Sequence, residues 1–170
     1  MDVNSIYDYL TVEQWFQAVS KTYGSTAWRF GGNSVNDQGI KFWHLDLDND
    51  EFFTKIMFEK ICNDTQQNWN LDRVYANGQT HGLCGDLHQD VTNAEPGKHY
   101  TMLYYANPKW EANWGGYTVF VDPVSGGTFS RYPTPNSAVF FDSTITHCGL
   151  EPTRHCNDLR VTVAFKLSKQ

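Results

Sequence analysis

Along the first third of the chain, apolar positions recur at helical spacing. In TVEQWFQAVSKTY, the residues Val12, Trp15, Phe16, Val19 and Tyr23 fall on one stripe, and Thr11 and Gln14 stand in capping-box spacing, which predicts a helix opening at Thr11. In NDEFFTKIMFEKICND, a second stripe of Phe53, Ile56, Met57 and Ile61 follows a cap at Asn49 or Asp50. The aromatic faces of both helices are expected to pack against a sheet.

From residue 68 onward the apolar period shortens to two. WNLDRVYA, YTMLYYA, YTVFVD, SAVFFD and LRVTVAFKL read as strands, GIKFWHLDL adds one nearer the front, and NPKWEANWGG, PVSGG and YPTPN punctuate them. Such a series predicts a mainly β protein with flanking N-terminal helices, its two facing sheets forming a jelly roll or barrel. The sequence has no internal repeat and no linker. A single domain over 1–170 is expected, with a helical buttress over about 1–67 and a β core over about 68–167.

Composition narrows the functions. With 170 residues, 40% of them apolar, the chain can bury one sizeable core but is short for two. A net charge of −6 argues against a nucleic acid backbone as partner and favours a peptide, a protein or a small molecule. The opening MDVNSIYDYLTVEQW has no basic region followed by an apolar run, and no segment reaches the length of a membrane span, so a soluble, cytoplasmic protein is expected. Cys62, Cys84, Cys148 and Cys156 form no C-x-x-C pair, which favours reduced thiols. Oxidation of Cys148 with Cys156 is left open, and a zinc cluster of cysteines with His147 or His155 is disfavoured by the irregular spacing.

The candidate chemistry begins in CGDLHQDVT. On extended chain, His88 and Asp90 leave the same face and converge on one point, as two ligands of a site in which two histidines and a carboxylate hold iron. Among the other histidines, His147 in SAVFFDSTITHCGL follows a strongly apolar strand and is the best third ligand. His155 sits in the polar loop PTRHCND, His81 and His99 in or beside loops, and His44 on a strand far upstream. Beyond His147, Arg160 and Thr162 share a strand face, and a guanidinium beside a hydroxyl suits one end of a dicarboxylic acid.

The order HQD, YTMLYYANPKWEANWGGYTVF, AVFFDSTITH and LRVTVAFKL resembles the iron- and 2-oxoglutarate-dependent dioxygenases, within them the prolyl 4-hydroxylase-like branch, over roughly residues 70–167. The resemblance implies a double-stranded β-helix (cupin-like jelly roll) in which His88, Asp90 and His147 hold Fe(II). It implies that Arg160 and Thr162, joined by Tyr105, bind the distal carboxylate of 2-oxoglutarate, and that Tyr75 lines the pocket. O2 is the implied second co-substrate, with ascorbate as an accessory reductant. Collagen-type and algal prolyl hydroxylases place a lysine where this chain has Arg160, so the likeness is nearer to oxygen-sensing and bacterial or viral members. Arg154, in the loop after His147, is the alternative anchor.

The reaction implied is hydroxylation of an unactivated C–H bond with release of succinate and CO2, and Trp114, Phe120 and Tyr105 are expected to help exclude water. Peptidyl proline is the leading substrate by resemblance. A free amino acid or other small molecule is the alternative. A different class of function is a non-catalytic β-sandwich module with Trp110 and Trp114 as an exposed binding platform, a reading that gives Arg160 no role.

Overall fold

In the computed structural model, which describes residues 3–34 and 39–170, period-two alternation is realised most fully in the last strand, β10 (Arg160–Lys169). Val161, Val163, Phe165 and Leu167 enter the main apolar core, while Arg160, Thr162, Ala164 and Lys166 line a cavity on the other side. Burial on both faces requires a central position, and β10 has one. It lies in a seven-stranded antiparallel sheet of order β1-β8-β5-β10-β4-β3-β2. Its companions are β1 (Asn4–Ile6), β2 (Arg29–Gly32), β3 (Phe42–Asp46), β4 (Trp69–Gln79), β5 (His99–Tyr105) and β8 (Ser137–Asp142). A second sheet, β7-β6-β9, faces it, built from β6 (Thr118–Val121), β7 (Thr128–Arg131) and β9 (His147–Gly149). The expected jelly-roll architecture is thus observed.

The front of the chain is not purely a helical buttress, because β1, β2 and β3 all add to the major sheet. β1, β2 and β7 were not expected from the sequence; they are three or four residues long, and β2 ends in Gly-Gly. Such strands are held by pairing with neighbours, and their own hydrophobic alternation is too short to register.

Helix α1 (Val12–Lys21) opens with the expected box: Gln14 N–H donates to Thr11 Oγ1 at 3.3 Å and Thr11 N–H to Gln14 Oε1 at 3.2 Å. Its buried line runs along Trp15, Ala18 and Thr22, one edge of the predicted stripe, and leaves Val12 and Phe16 more than 60% exposed. Ala18 is the fully buried residue of that line and belongs to the main apolar core. The second helix begins as π-helical turns over Phe52–Met57 and continues as α2 (Phe58–Thr65), with Asp50 Oδ1 accepting from Phe52 N–H at 2.9 Å. The wider π turn brings Phe52, Phe53 and Met57 into the core and swings Ile56 outward, against the expected stripe.

Trp110 and Trp114 pack edge to face and are buried, so they form no exposed platform. All four cysteines are free thiols, Cys148 and Cys156 included. Among the described residues no helix is long and apolar enough to cross a membrane.

Asn136 ties the N-terminal segment to this frame. In left-handed conformation (φ 56°), it accepts from Leu10 N–H and Tyr104 O–H at 3.0 Å each and donates to Leu10 C=O at 2.9 Å. Removing three buried hydrogen bonds leaves partners unsatisfied. Asn136→Ala is expected to lower stability by about 2–4 kcal/mol in urea denaturation followed by circular dichroism.

Candidate active site

His88 lies on no regular strand. It is extended because it pairs with His147 in an isolated antiparallel bridge, each N–H donating to the other's carbonyl at 3.0 and 2.9 Å. Asp90 is fixed next to it through its N–H, which donates to Ser143 C=O at 3.0 Å. The three side chains meet: His88 Nε2 is 3.4 Å from Asp90 Oδ1, His147 Nε2 is 3.6 Å from Asp90 Oδ2, and all three ligand atoms lie within 4.8 Å of one another.

Each imidazole has its other nitrogen committed. His88 Nδ1 donates to Asp86 C=O at 2.8 Å and His147 Nδ1 to Ile145 C=O at 2.9 Å, which leaves both Nε2 atoms unprotonated and aimed at the same point. Burial pushes the His147 pKa down to about 4, against the opposing pull of Asp90, so the ring is neutral at pH 7. Two imidazoles and one carboxylate so placed would suit Fe(II) as three protein ligands.

Asp90 is held by groups that sequence reasoning missed. Thr101 Oγ1 donates to its Oδ2 at 2.5 Å, and Lys166 Nζ lies 2.5 Å from the same oxygen. Burial alone would raise the Asp90 pKa, but Lys166, His88 and His147 together hold it well below the usual carboxylate range. Burial likewise disfavours the charge on Lys166, and Tyr75 and Asp90 outweigh it, raising that pKa. Lys166 was legible in principle: it continues the alternate-residue series of Arg160, Thr162 and Ala164.

Arg160 is buried at the other end of that series. Its Nε donates to Gly116 C=O at 2.6 Å, Nη1 to Gln79 Oε1 at 2.7 Å and Nη2 to Thr118 Oγ1 at 2.9 Å. Gly116 has φ +69°, and a Cβ there would stand 2.9 Å from Trp110 and 3.0 Å from Arg160, so the Gly-Gly turn is what admits the guanidinium. Among the described residues no carboxylate pairs with Arg160, whose partners are all neutral. Burial pushes its pKa down.

The other expected residues divide. Thr162 and Tyr75 line the cavity with Arg160 and the His–Asp–His cluster. Tyr105 is fully buried and does not line it; its hydroxyl donates to Thr118 Oγ1 at 2.8 Å, and the Arg160 guanidinium carbon lies over its ring, 5.9 Å from the centroid. Gln79 and Thr118, which no motif pointed to, hold the guanidinium directly. Phe120 and Phe141 pack on the His147 ring, with centroids 5.9 and 4.7 Å away, whereas Trp114 packs on Trp110 and lies off the cavity. His155 and Arg154 are exposed, and neither lines the cavity. The cavity measures about 890 Å³.

The sequence model of the 2OG-Fe(II) oxygenase superfamily matches residues 73–165, a span that holds the His–Asp–His cluster and Arg160. The chain belongs to this superfamily. Its members are oxidoreductases that use Fe(II), 2-oxoglutarate and O2. No curated protein matches the sequence.

The fold is shared with solved structures. A prolyl hydroxylase from Trichoplax adhaerens, in complex with a hypoxia inducible factor peptide fragment, superposes with TM-score 0.72 at 17% identity, covering 98% of this chain and 83% of that one. A prolyl-4-hydroxylase from Pseudomonas putida gives 0.70 at 12% identity, covering 99% and 92%. HygX from Streptomyces hygroscopicus, with nickel, 2-oxoglutarate and hygromycin B bound, gives 0.72 at 11%, covering 99% and 83%.

Anaerobic Fe(II) titration should show binding lost in His88→Ala, Asp90→Ala and His147→Ala and retained in His155→Ala. Thr101→Val, which frees Asp90 Oδ2 from its hydroxyl donor, should weaken binding by about tenfold or more. Retention in His147→Ala with loss in His155→Ala would reassign the third ligand.

Proposed function

We propose that the protein hydroxylates an unactivated C–H bond, with peptidyl proline as the leading substrate, and that His88, Asp90 and His147 hold the iron while Arg160 anchors 2-oxoglutarate. The observation that carries this reading is the charge state of the cavity floor. A buried guanidinium with only neutral partners is costly in a folded protein unless an anion completes it. Three of the five N–H groups of Arg160 are engaged, and the remaining two suit a carboxylate fork.

Bound Fe(II), 2-oxoglutarate and O2 supply the oxidising power, converting 2-oxoglutarate to succinate and CO2 as the substrate carbon gains hydroxyl. The chain's own residues do the positioning. Arg160 binds the distal carboxylate, with the Thr162 hydroxyl on the same strand face. Gln79, Thr118 and the Gly116 carbonyl fix the plane of the guanidinium, and Tyr105 holds Thr118 in place. Phe120 and Phe141 keep water from the back of His147.

Proline is supported by likeness in fold to two prolyl hydroxylases, one of them solved with a peptide. A small-molecule substrate is the second reading, favoured by the equal likeness to HygX with its bound hygromycin B. Screening peptides and metabolites for 2-oxoglutarate-dependent succinate release and hydroxylation separates the two.

The anchor has its own test. Arg160→Ala removes a charge-assisted contact and should weaken 2-oxoglutarate binding at least thirtyfold, about 2–5 kcal/mol, with metal binding retained. Arg160→Lys should restore part of the loss, since it offers a point charge in place of a planar fork, and Arg154→Ala should have no effect. Calorimetry with Mn(II) in place of iron, under argon, measures all four proteins. Loss in Arg154→Ala alone would move the anchor, and a parent that binds Mn(II) but not 2-oxoglutarate would defeat the dioxygenase reading.

A further inference from the structure

Charge at the centre of the site balances when the co-substrate is bound: the dication and Arg160 are matched by the two carboxylates of 2-oxoglutarate and by Asp90. Cations are left over. Lys166, Arg73 and Arg29 line the same cavity, in a chain whose net charge is −6.

They form one wall. Lys166 on β10 is the cross-strand partner of Arg73 on β4, and both cationic heads lie over the Tyr75 ring, with Arg73 Cζ 4.7 Å and Lys166 Nζ 5.7 Å from its centroid. Arg73 Nη2 is 3.4 Å from His44 Nε2, and His44 in turn faces Arg29 across the β2–β3 pair. Burial, and next the Arg73 charge, push the His44 pKa down, so that ring adds no charge of its own.

Little on the protein neutralises this wall. Lys166 lies 2.5 Å from Asp90, whose one charge it shares with the dication. Asp72 lines the cavity, accepts from Ser168 Oγ at 2.8 Å and forms no salt bridge with either arginine, and Asp46, opposite Tyr75 on β3, is exposed and off the cavity. Among the described residues neither Arg73 nor Arg29 forms a salt bridge.

We propose that the substrate of this site is anionic, carrying a carboxylate or phosphate that seats on Arg73 and Arg29 while Lys166 stays on Asp90. Arg73 is the main contact. Its guanidinium is backed by an aromatic face, which holds the planar fork ready for two parallel hydrogen bonds to an oxyanion. The register places this fork beside Lys166, and so on the metal side of the cavity and away from Arg160, whose end of β10 is six residues distant. An anion held there leaves the adjoining part of the substrate over the His–Asp–His cluster. This substrate class rests on the dioxygenase reading, but the anion site itself does not.

The probes are the C-terminal amides of N-acetyl-glutamate, of its then neutral isostere N-acetyl-glutamine and of N-acetyl-phosphoserine, titrated by NMR into protein loaded with Zn(II) and 2-oxoglutarate, so that Arg160 is occupied. Arg160→Ala protein loaded with Zn(II) alone is titrated in parallel and reports the outer site even where 2-oxoglutarate fails to bind. The glutamate probe should bind at least tenfold more tightly than the glutamine probe in both. That preference should fall below threefold in Arg73→Ala and vanish in the Arg73→Ala/Arg29→Ala double variant, with Zn(II) affinity retained. A stronger response to the phosphoserine probe identifies the natural group as phosphate, and a weaker one identifies a carboxylate. Equal binding of the charged and neutral probes, or a preference that survives in the double variant, overturns the proposal. Failure of 2-oxoglutarate to load, with the preference intact in Arg160→Ala, would defeat the dioxygenase reading and leave the anion site standing.

Discussion

Everything in this molecule is arranged around one strand that must be apolar on one side and charged on the other while both sides are buried. β10 meets that demand by strict alternation. Val161, Val163, Phe165 and Leu167 are packed within the core that the helices complete, and Arg160 and Lys166 mark the two ends of the opposite face. A register slip of one residue would drive both cations into the core, so pairing with β4 and β5 on either side is constrained by electrostatics as well as by hydrophobic burial. A shift is tolerated only at Lys166/Leu167, beyond the residues that build the site.

The two buried cations are managed differently. Lys166 has an internal counter-ion in Asp90, whereas Arg160 is surrounded by a carbonyl, an amide and a hydroxyl that satisfy geometry without cancelling charge. Under the proposed function, that difference separates a group serving the frame of the His–Asp–His cluster from one reserved for a ligand. It also explains the Gly115-Gly116 turn, whose positive φ angles bring a backbone carbonyl up to a guanidinium where side chains would collide.

The parts of the fold and site that sequence revealed are those in which one residue's neighbours along the chain carry the information. Alternation exposed the long strands, and spacing exposed the His88–Asp90 pair and the Arg160–Thr162 pair. The short strands β1, β2 and β7 exist only through their partners, and the π turn at Phe52–Met57 shares its apolar spacing with an ordinary helix until its backbone is seen. Gln79, Thr101 and Thr118 touch the functional groups from distant strands and carry no local signature. Tyr105 shows the reverse: a suggestive position in sequence, yet a hydroxyl turned to Thr118.

The pairing of His88 with His147 has a mechanical consequence. His147 belongs to an edge strand of a three-stranded sheet, while Asp90 is gripped by Thr101 and Lys166 of the seven-stranded one. An ion bound among these side chains is therefore a cross-link between the two sheets, and the smaller sheet, with strands of only three or four residues, has the most to gain from it. Under the proposed function, metal supply would then set the stiffness of the three-stranded sheet as well as the chemistry beside it.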